Sequence, residues 1–498
     1  MSELQATGAK VLEPLIYELS SPGRTGVTYP DPDVPEAELP AALLRDDLPL
    51  PEVSQIDVVR HFVRLSQFNH GIDVGFYPLG SCTMKYNPKI NEDVVRLPGF
   101  ARIHPLQPHL QVQGALALMY SLQHWLAEVS GMAGVSLQPA AGAHGELSGI
   151  LIMRKYHLDR GDTKRTKILV PDSAHGTNPA STTMSGLDVV QIPSDANGSV
   201  DMDALLQHCD DTVVGLMITI PNTLGLFEAR IKEVIAAIQG CGGLVYMDGA
   251  NFNALMGVVK PGDLGVDVMH FNLHKTFSTP HGGGGPGSGP VGVREHLLPF
   301  LPGPVVEIVE PPRADDELPV FGWVMPAKSI GRVKAFHGNF GMMARAYTYI
   351  RMHGPDGLRA VSEHAVLNAN YIRARLRDTY HVPYDRICMH EFVAEGRWDD
   401  APGVGALDIS KRLMDFGMHP PTNYFPLIVH DALMIEPTET ESKETLDRFI
   451  EVMQRIAGEA RTDPDLLHSA PHVTPVSRLD EVKAAKDLVL CAPPVCEK

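Results

Sequence analysis

Five short runs rich in valine, isoleucine and leucine, separated by segments of helical periodicity, limit the possible folds of this chain more than any other feature of its sequence. The predicted strands are 167–170, 189–192, 213–219, 244–247 and 266–273, with predicted helices at 202–208 and 231–239. Apolar strands that alternate with helices are typical of a parallel sheet covered on both faces. We therefore predict an α/β fold with a mostly parallel, doubly wound sheet.

Two of these strands end in side chains that can do chemistry. Asp248 follows the strand 244–247, and His274 and Lys275 follow the strand 266–273. Ligands bind beyond the carboxyl ends of strands in such sheets, so we expect these residues to meet at one edge. The pair favours pyridoxal phosphate, with the lysine as Schiff-base partner and the carboxylate on the pyridine nitrogen. Either residue alone could be a solvated lysine or a turn-forming aspartate.

A phosphate-binding segment is predicted just before the helix expected at 147–156. It consists of Gly142, Ala143, His144 and Gly145. Free amides at the start of a helix bind phosphate, and small residues let the anion approach. His144 could stack on the cofactor ring, although a histidine in a loop is usually solvated. The segment could also be a simple tight turn.

Further polar loops are expected at the same edge of the sheet. Asn178, Asn222 and Thr223 could hydrogen-bond the cofactor or the substrate, although asparagine beside proline is also an ordinary turn former. The glycine-rich segment 281–293 is followed by a valine-rich strand rather than a helix, which excludes a dinucleotide fingerprint. We expect a mobile loop beside the lysine, with a flexible linker as the alternative. The irregular segment 71–90 is a surface loop or a loop held over the site.

The chain of 498 residues exceeds what one core accommodates. We predict an extended N-terminal arm and helix at 1–65, a large cofactor-binding domain at 66–335, a small C-terminal α+β domain at 336–460 and a tail at 461–498. The small domain should contain strands at 390–394, 425–429 and 433–436 and helices at 407–416 and 442–456. The proline-rich segment 302–326 is predicted to be irregular, with a long helical region from residue 329. The arm can be ordered only by lying on the large domain or on a second subunit.

Charge and cysteine usage restrict partners and compartment. With 42 basic and 60 acidic residues the formal net charge is −18, which argues against nucleic acid or an anionic membrane as a partner. Six cysteines without a CxxC pair indicate the cytoplasm, and Cys491 and Cys496 are expected to be exposed thiols rather than a metal site. No apolar run approaches the roughly 18 residues of a membrane helix, and the first 30 residues do not form a signal peptide.

Long phrases of this sequence resemble the glycine decarboxylase (P-protein) family of the glycine cleavage system, in particular the second subunit of its two-subunit form. They are PLIYELSSPGR, VVRHFVRLSQFNHGIDVGFYPLGSCTMKYNPK, LQPAAGAHGELSGILIMRKYH, SAHGTNPAS, YMDGANFNAL, FNLHKTFSTPHGGGGPGSGPVGV, SIGRVKAFHGNFG and MHPPTNYFPLIV. They extend from near the N-terminus almost to the tail, and the lysine, the carboxylate and the phosphate loop all match.

The resemblance implies fold type I of the pyridoxal phosphate enzymes and decarboxylation of glycine, with transfer of the aminomethyl group to the lipoyl arm of the H-protein. It also implies a homologous first subunit, with two copies of each chain in the assembly. Lys275 matches the Schiff-base lysine and His274 precedes it in the same motif, so we expect these two as the acid–base groups. Asp248 and Ala250 match the cofactor-binding phrase. The rim that meets the carrier protein is predicted at 77–87 and 282–289, with a merely structural role as the alternative.

Two other functions are compatible with the same residues. One is a different fold type I enzyme, an amino-acid decarboxylase or aminotransferase. The other is a non-catalytic scaffold subunit whose partner holds the cofactor. The presence of Lys275 and Asp248 argues against the scaffold.

Overall fold

The computed structural model describes residues 12–46, 48, 50–281, 287–314 and 317–490. The strands are β1 (Gly134–Ser136), β2 (Lys167–Pro171), β3 (Asp188–Ile192), β4 (Val213–Thr219), β5 (Leu244–Gly249), β6 (Val268–Phe271), β7 (Val291–Val293), β8 (Val305–Glu310), β9 (Val320–Val324), β10 (Phe392–Glu395), β11 (Thr422–Asn423) and β12 (Ala432–Ile435). The helices are α1 (Gln55–Ser66), α2 (Lys89–Val95), α3 (Pro98–Ala101), α4 (Gln113–Ser130), α5 (Gly142–Asp159), α6 (Thr177–Met184), α7 (Met202–His208), α8 (Ile231–Gly240), α9 (Pro261–Leu264), α10 (Phe340–Leu376), α11 (Ala406–Asp415), α12 (Lys443–Thr462), α13 (Pro464–His468) and α14 (Glu481–Lys486).

The predicted mostly parallel sheet is confirmed. Seven strands lie in the order β1-β7-β6-β5-β4-β2-β3, and β2 to β6 pair in parallel, while β7 runs antiparallel to both β6 and β1. Alternate residues of one strand enter different cores: Val245 packs with helices α4 and α8, and Tyr246 packs with α5. Both faces of the sheet are therefore covered, which is why its strands are apolar throughout.

Most predicted elements occur within one or two residues of their expected bounds, and α7 and β4 match them fully. Helix α5 begins five residues earlier than predicted, at Gly142. Helix propensity disfavours a start among glycines, but close packing requires these residues to be small. A Cβ on Gly145 would lie 2.7 Å from the carbonyl oxygen of Gly289, and one on Gly149 would lie 2.3 Å from the ring of Tyr246.

Four local predictions are wrong. The segment 172–182 was expected to be a loop, but α6 begins within it at Thr177. The segment 302–326, expected to be irregular, contains the antiparallel pair β8–β9. The helical region begins at Phe340 rather than at residue 329. The strand expected at 425–429 is absent, and β11 ends just before Tyr424, whose φ of 59° turns the chain. Pro426 cannot donate a ladder hydrogen bond there, which explains why the apolar pattern does not become a strand.

A second core surrounds the three-stranded antiparallel sheet β10-β12-β11. Helix α10 joins the two cores, because it changes direction at Gly354, with φ of 63° followed by Pro355. Side chains before this kink, such as Met343, pack in the large core, and those near its end, such as Ile372, pack in the second. The second core also takes Phe76 from the segment before α2 and Leu467 from α13. The predicted domain limits remain predictions.

The N-terminal arm makes little contact with the rest of the chain. Every described residue from Pro22 to Leu50 is exposed. Within the described residues, every helix is too short or too polar to span a bilayer. The predictions for Cys491 and Cys496 and for residues 282–286 of the glycine-rich segment lie outside the described residues.

Candidate active site

A cavity of about 240 Å³ lies at the carboxyl ends of β4, β5 and β6. Its wall contains Ser81, Gly142, Ala143, Glu146, His175, Thr177, Thr219, Pro221, Thr223, Asp248, Ala250, Asn251, Asn272, His274, Lys275, His390 and Glu391. Seven of the eleven residues predicted for the site line it, and His144, Gly145, Asn178 and Asn222 do not. The side chain of Asn222 is buried and donates instead to the carbonyl of Gly198 at 2.7 Å. A larger recess of about 590 Å³ lies between α4, the segment after β5 and the kink of α10. Lys275 and Asp248 line the smaller cavity and not this recess, so the smaller cavity is the candidate site.

Asp248 is a buried carboxylate at the end of β5. It accepts hydrogen bonds from the amide of Ala250 at 3.0 Å and from the side chain of Asn178 at 3.2 Å, and the Nε2 of His270 lies 3.6 Å away. Burial raises the pKa of Asp248, but His270, the Ala250 amide and Lys275 together hold it below its ordinary value. Since burial also lowers the pKa of His270, we assign the ionised state of Asp248 mainly to the amide and the lysine.

Glu146 forms a second carboxyl group beside Asp248. The Nδ2 of Asn178 donates to Glu146 at 3.0 Å as well as to Asp248, and the hydroxyl of Thr177 donates to Glu146 at 3.0 Å. Burial and the neighbouring Asp248 raise the pKa of Glu146 to about 7. Below about pH 7, therefore, the pair holds about one negative charge, on Asp248. Asn178 lies behind the carboxylates and joins them, rather than facing the cavity.

Lys275 follows β6 and extends into the cavity. Its Nζ donates to the carbonyl oxygen of Ser81 at 2.7 Å. Ser81 belongs to the irregular segment 71–90, for which a surface loop and a loop held over the site were the predicted alternatives. At Ser81 the segment lies over the site. Ser81 and Thr83 both have positive φ, of 63° and 49°, so the backbone is strained where it approaches the lysine.

His274 lines the cavity next to the lysine. Burial and then the neighbouring His281 lower its pKa to about 3, so the ring is neutral near pH 7. Its Nδ1 accepts from the amide of Ser288 at 3.3 Å, which leaves the ring proton on Nε2. His274 is thus arranged as a hydrogen-bond donor rather than as a charged acid.

The start of α5 fits an anion. The first intrahelical hydrogen bond runs from the amide of Gly145 to the carbonyl of Ala141 at 2.9 Å, so the earlier amides of Gly142 and Ala143 have no intrahelical acceptor. A Cβ on Gly142 would lie 2.7 Å from the side chain of Asn272. Free amides among residues that must be small are suited to a phosphate group.

The structure separates His144 from the cavity and places His175 in its wall. The Nδ1 of His144 accepts from the amide of Ala140 at 3.1 Å, which turns the ring toward the preceding loop. His175 precedes α6, and its Nδ1 contacts the hydroxyl of Thr177 at 2.7 Å. Partial desolvation lowers the pKa of His175, so its imidazole is neutral at pH 7. Its ring is still exposed, as expected for a face that a ligand would cover.

Sequence reasoning did not select several other wall residues. Glu146 could have been found, since it lies four residues after Gly142 and so on the same face of α5. His390 and Glu391 come from the second core and had no comparable signal. Thr223, predicted to hydrogen-bond the cofactor or the substrate, lines the cavity, but its hydroxyl already donates to the carbonyl of Ser173.

Comparison with known proteins gives consistent results. The model of glycine dehydrogenase, C-terminal domain, matches residues 361–472, and that of aminotransferase class-V matches residues 149–301. The chain is 57% identical over 481 residues to the probable glycine dehydrogenase (decarboxylating) subunit 2 of Alkaliphilus oremlandii, covering 96% of this chain and 97% of the relative. It is 58% identical over 482 residues to the protein of the same description from Halalkalibacterium halodurans, with the same coverage of both chains.

Solved structures share the fold. A crystal structure of glycine decarboxylase (P-protein) of the glycine cleavage system, in inhibitor-bound form, superposes with a TM-score of 0.70 at 21% identity, covering 84% of this chain and 93% of that one. The glutamate decarboxylase of Lactobacillus brevis superposes with a TM-score of 0.61 at 16% identity, covering 86% and 96%. The predicted fold type I architecture is therefore confirmed.

Proposed function

The chain belongs to the family of glycine dehydrogenase (decarboxylating) subunit 2, and on this premise we propose that it carries out the pyridoxal-phosphate-dependent decarboxylation of glycine as one subunit of the glycine cleavage P-protein. The observation that supports this best is the convergence of Lys275 and the ionised Asp248 on one cavity. An amine that can condense with an aldehyde and a carboxylate that can hold a pyridine nitrogen protonated are what this cofactor needs.

The residues present fit the cofactor. We propose that the amides of Gly142 and Ala143 hold its phosphate, that His175 rather than His144 covers one face of its ring, and that Asp248 keeps its ring nitrogen protonated. When bound, pyridoxal phosphate supplies an electron sink for the electron pair left after loss of CO2.

The protein side of the chemistry depends on where protons are held. Asp248 stays ionised because Glu146 takes up the proton that the pair retains near pH 7. The carbonyl of Ser81 orients the amine of Lys275, which acts as the acid or base once substrate has replaced it. Gly145 and Asn178 lie behind the cavity wall. Gly145 allows close packing at the start of α5, and the side-chain amide of Asn178 joins the carboxyl groups of Glu146 and Asp248. We propose that His274 donates a hydrogen bond from Nε2.

We further propose that the aminomethyl group passes to the lipoyl arm of an H-protein and that two copies of this chain assemble with two of a homologous first subunit. The name of the relatives as a second subunit supports a partner chain. Ser81 in the cavity wall supports the segment 77–87 as part of the docking rim. The cytoplasm, predicted from cysteine usage, is the proposed compartment.

The test uses this chain assembled with its partner subunit and pyridoxal phosphate. We expect a visible absorption band from the linked cofactor and exchange of labelled bicarbonate into glycine that requires lipoylated carrier. Lys275→Ala should lose both. Exchange that proceeds equally without the carrier would instead indicate a simple decarboxylase, and a band that persists in Lys275→Ala would place the cofactor on the partner.

A further inference from the structure

Three titratable side chains of the second core meet at the cavity wall. His390 and Glu391 precede β10, and Glu436 follows β12; these strands are antiparallel neighbours, with Phe392 opposite Ile435. All three side chains are buried, and one possible ligand atom from each lies within 4.8 Å of the others. We call these residues the acid–imidazole cluster.

The two carboxyl groups of the cluster have only neutral hydrogen-bond donors. Glu391 accepts from the amide of Ser81 at 2.6 Å, and Glu436 accepts from the side chain of Asn251 at 2.9 Å and from the amide of Thr83 at 3.1 Å. Burial, and then the neighbouring Glu436, raise the pKa of Glu391 well above its ordinary value, and burial also raises that of Glu436. A carboxyl group that keeps its proton has an O–H to donate.

His390 is the unsatisfied member of the cluster. Its side chain is 1% exposed, and neither ring nitrogen has a hydrogen-bond partner; the Nε2 lies 3.7 Å from the Oε1 of Glu391. A buried imidazole without partners costs free energy, so a ligand that pairs with it would remove that cost. His390 and Glu391 both line the cavity that contains Lys275.

We propose that His390 and Glu391 bind the carboxylate of glycine by donating one hydrogen bond each, with Glu436 as the neighbouring carboxyl group of the cluster. This inference rests on the proposed function, since it assumes glycine as the substrate. Glycine has two carbons, so when its amine is at Lys275 its carboxylate must lie among the nearest wall residues. Among the described residues of that wall no arginine is present, and the second core contributes two donors to it, the neutral imidazole of His390 and the protonated carboxyl group of Glu391.

Neutral donors have a chemical consequence for this reaction. An arginine would stabilise the carboxylate strongly in the ground state, where the interaction does not help because the charge of that group is lost as CO2 departs. An imidazole N–H and a carboxyl O–H position the carboxylate with less ground-state stabilisation. The acid–imidazole cluster therefore orients the departing group without holding it.

The experiment compares glycine with methylamine, which has the same amine without the carboxylate. Both are titrated into the assembled holoenzyme while the visible spectrum of the cofactor is recorded. His390→Ala and Glu391→Ala should each raise the dissociation constant of glycine by about tenfold to a hundredfold, as expected for a lost hydrogen bond to a charged group, and that of methylamine by less than about twofold. Glu391→Gln keeps a neutral N–H donor, so its dissociation constant for glycine should stay within about threefold of that of the unaltered enzyme.

Matched variants separate position from folding. His390→Gln, which also keeps a donor, stands in if His390→Ala does not retain the cofactor band. Glu441→Gln is the control, because burial raises the pKa of Glu441 to about 7 although it is not part of the cavity wall. It should leave both dissociation constants unchanged.

Three results have different meanings. If glycine produces no spectral change in the unaltered holoenzyme, the proposed function itself is wrong. If the unaltered enzyme responds but His390→Ala and Glu391→Ala weaken the binding of glycine and of methylamine equally, only the proposed carboxylate-binding role of the two residues is overturned. A stoichiometric divalent metal in the purified protein, with a glycine response that a chelator abolishes, would also overturn it by making the cluster a metal site.

Discussion

Asp248 and Glu146 are both carboxyl groups joined by one asparagine amide, yet their surroundings drive their protonation in opposite directions. Asp248 receives a backbone amide and lies near Lys275, whereas Glu146 has the neutral hydroxyl and amide donors of its neighbours. Two adjacent buried negative charges would repel each other, so the carboxyl group with weaker stabilisation keeps its proton. This difference keeps the charge where the pyridine nitrogen is expected.

Replacing Glu146 with glutamine tests this division by its effect on stability. The pKa of Glu146 is raised from 4.5 to about 7, so between these values the folded chain holds a proton that the unfolded chain has released. Its contribution to the unfolding free energy is therefore lost as the pH rises through this window, by roughly 3 kcal/mol. The glutamine of Glu146→Gln cannot titrate. As the pH rises through this window, the unfolding free energy of the variant should therefore increase by this amount relative to that of the unaltered chain, as measured by urea unfolding without cofactor. A difference that does not vary with pH would contradict the raised pKa, and Glu451→Gln on the exposed face of α12 is the control.

The ring contact is tested by comparing the two histidines. His175→Ala should raise the dissociation constant of pyridoxal phosphate by about threefold to tenfold, the usual effect of losing an aromatic contact. His175→Phe should retain the cofactor, because a planar ring is kept. His144→Ala should have a smaller effect, since its ring contacts the backbone of Ala140. Fluorescence titration of the cofactor measures the dissociation constant of all three variants. A larger increase for His144→Ala than for His175→Ala would show that His144 makes the ring contact.

At the scale of elements, the segment 77–87 connects the two cores above the site. Its Lys85 is buried and donates to Asn253 at 2.7 Å, to the hydroxyl of Tyr349 at 3.2 Å and to Glu439 at 2.8 Å. These partners come from the segment after β5, from α10 and from the segment after β12. The ammonium group of Lys85 therefore connects the segment 77–87, which carries Ser81, to both cores that this segment covers.

Lys85→Met should destabilise the chain strongly, because it leaves the buried carboxylate of Glu439 without its counter-charge. Removing one partner of a buried ion pair costs about 3 to 5 kcal/mol of unfolding free energy. The double variant Lys85→Met with Glu439→Gln should recover part of this loss. Lys89→Met provides the matched control, since Lys89 pairs with Asp73 on the surface and should cost less than about 1 kcal/mol. Equal losses for the two lysines in urea unfolding would show that Lys85 has no special role.

At the scale of the molecule, the N-terminal arm and α1 leave an apolar surface open. The outer face of α1 carries Ile56, Val59, Phe62 and Val63, each at least half exposed, while its buried residue His61 contacts Glu13. Four apolar residues on one face of a helix are typical of an interface. Since the arm does not lie on the large core, we expect both to lie on the partner subunit.

Phe62→Ser should therefore weaken association with the partner subunit without unfolding this chain. Removing a large exposed apolar side chain from an interface costs about 1 to 3 kcal/mol of binding, or roughly tenfold to a hundredfold in affinity. Sedimentation of the mixed subunits measures the association, and the melting temperature of the isolated chain should stay the same. Leu158→Ser, which alters an exposed leucine on α5, is the control. Unchanged assembly in Phe62→Ser would exclude this face from the interface.

The sequence alone determined the sheet and the two residues at its centre. Apolar strands that alternate with helices leave few ways to bury both faces, and Asp248 and Lys275 follow directly from the strands that carry them. The strand pattern and the positions of these two residues can each be read from a short stretch of sequence, because the carboxyl end of a parallel strand has a known position at the sheet edge. The tertiary structure decided which other side chains join them. His144 is turned away from the cavity by its contact with the amide of Ala140, whereas His175 lies in the cavity wall. The acid–imidazole cluster exists only because the start of β10 and the end of β12 lie side by side in the second core, far from Lys275 along the chain.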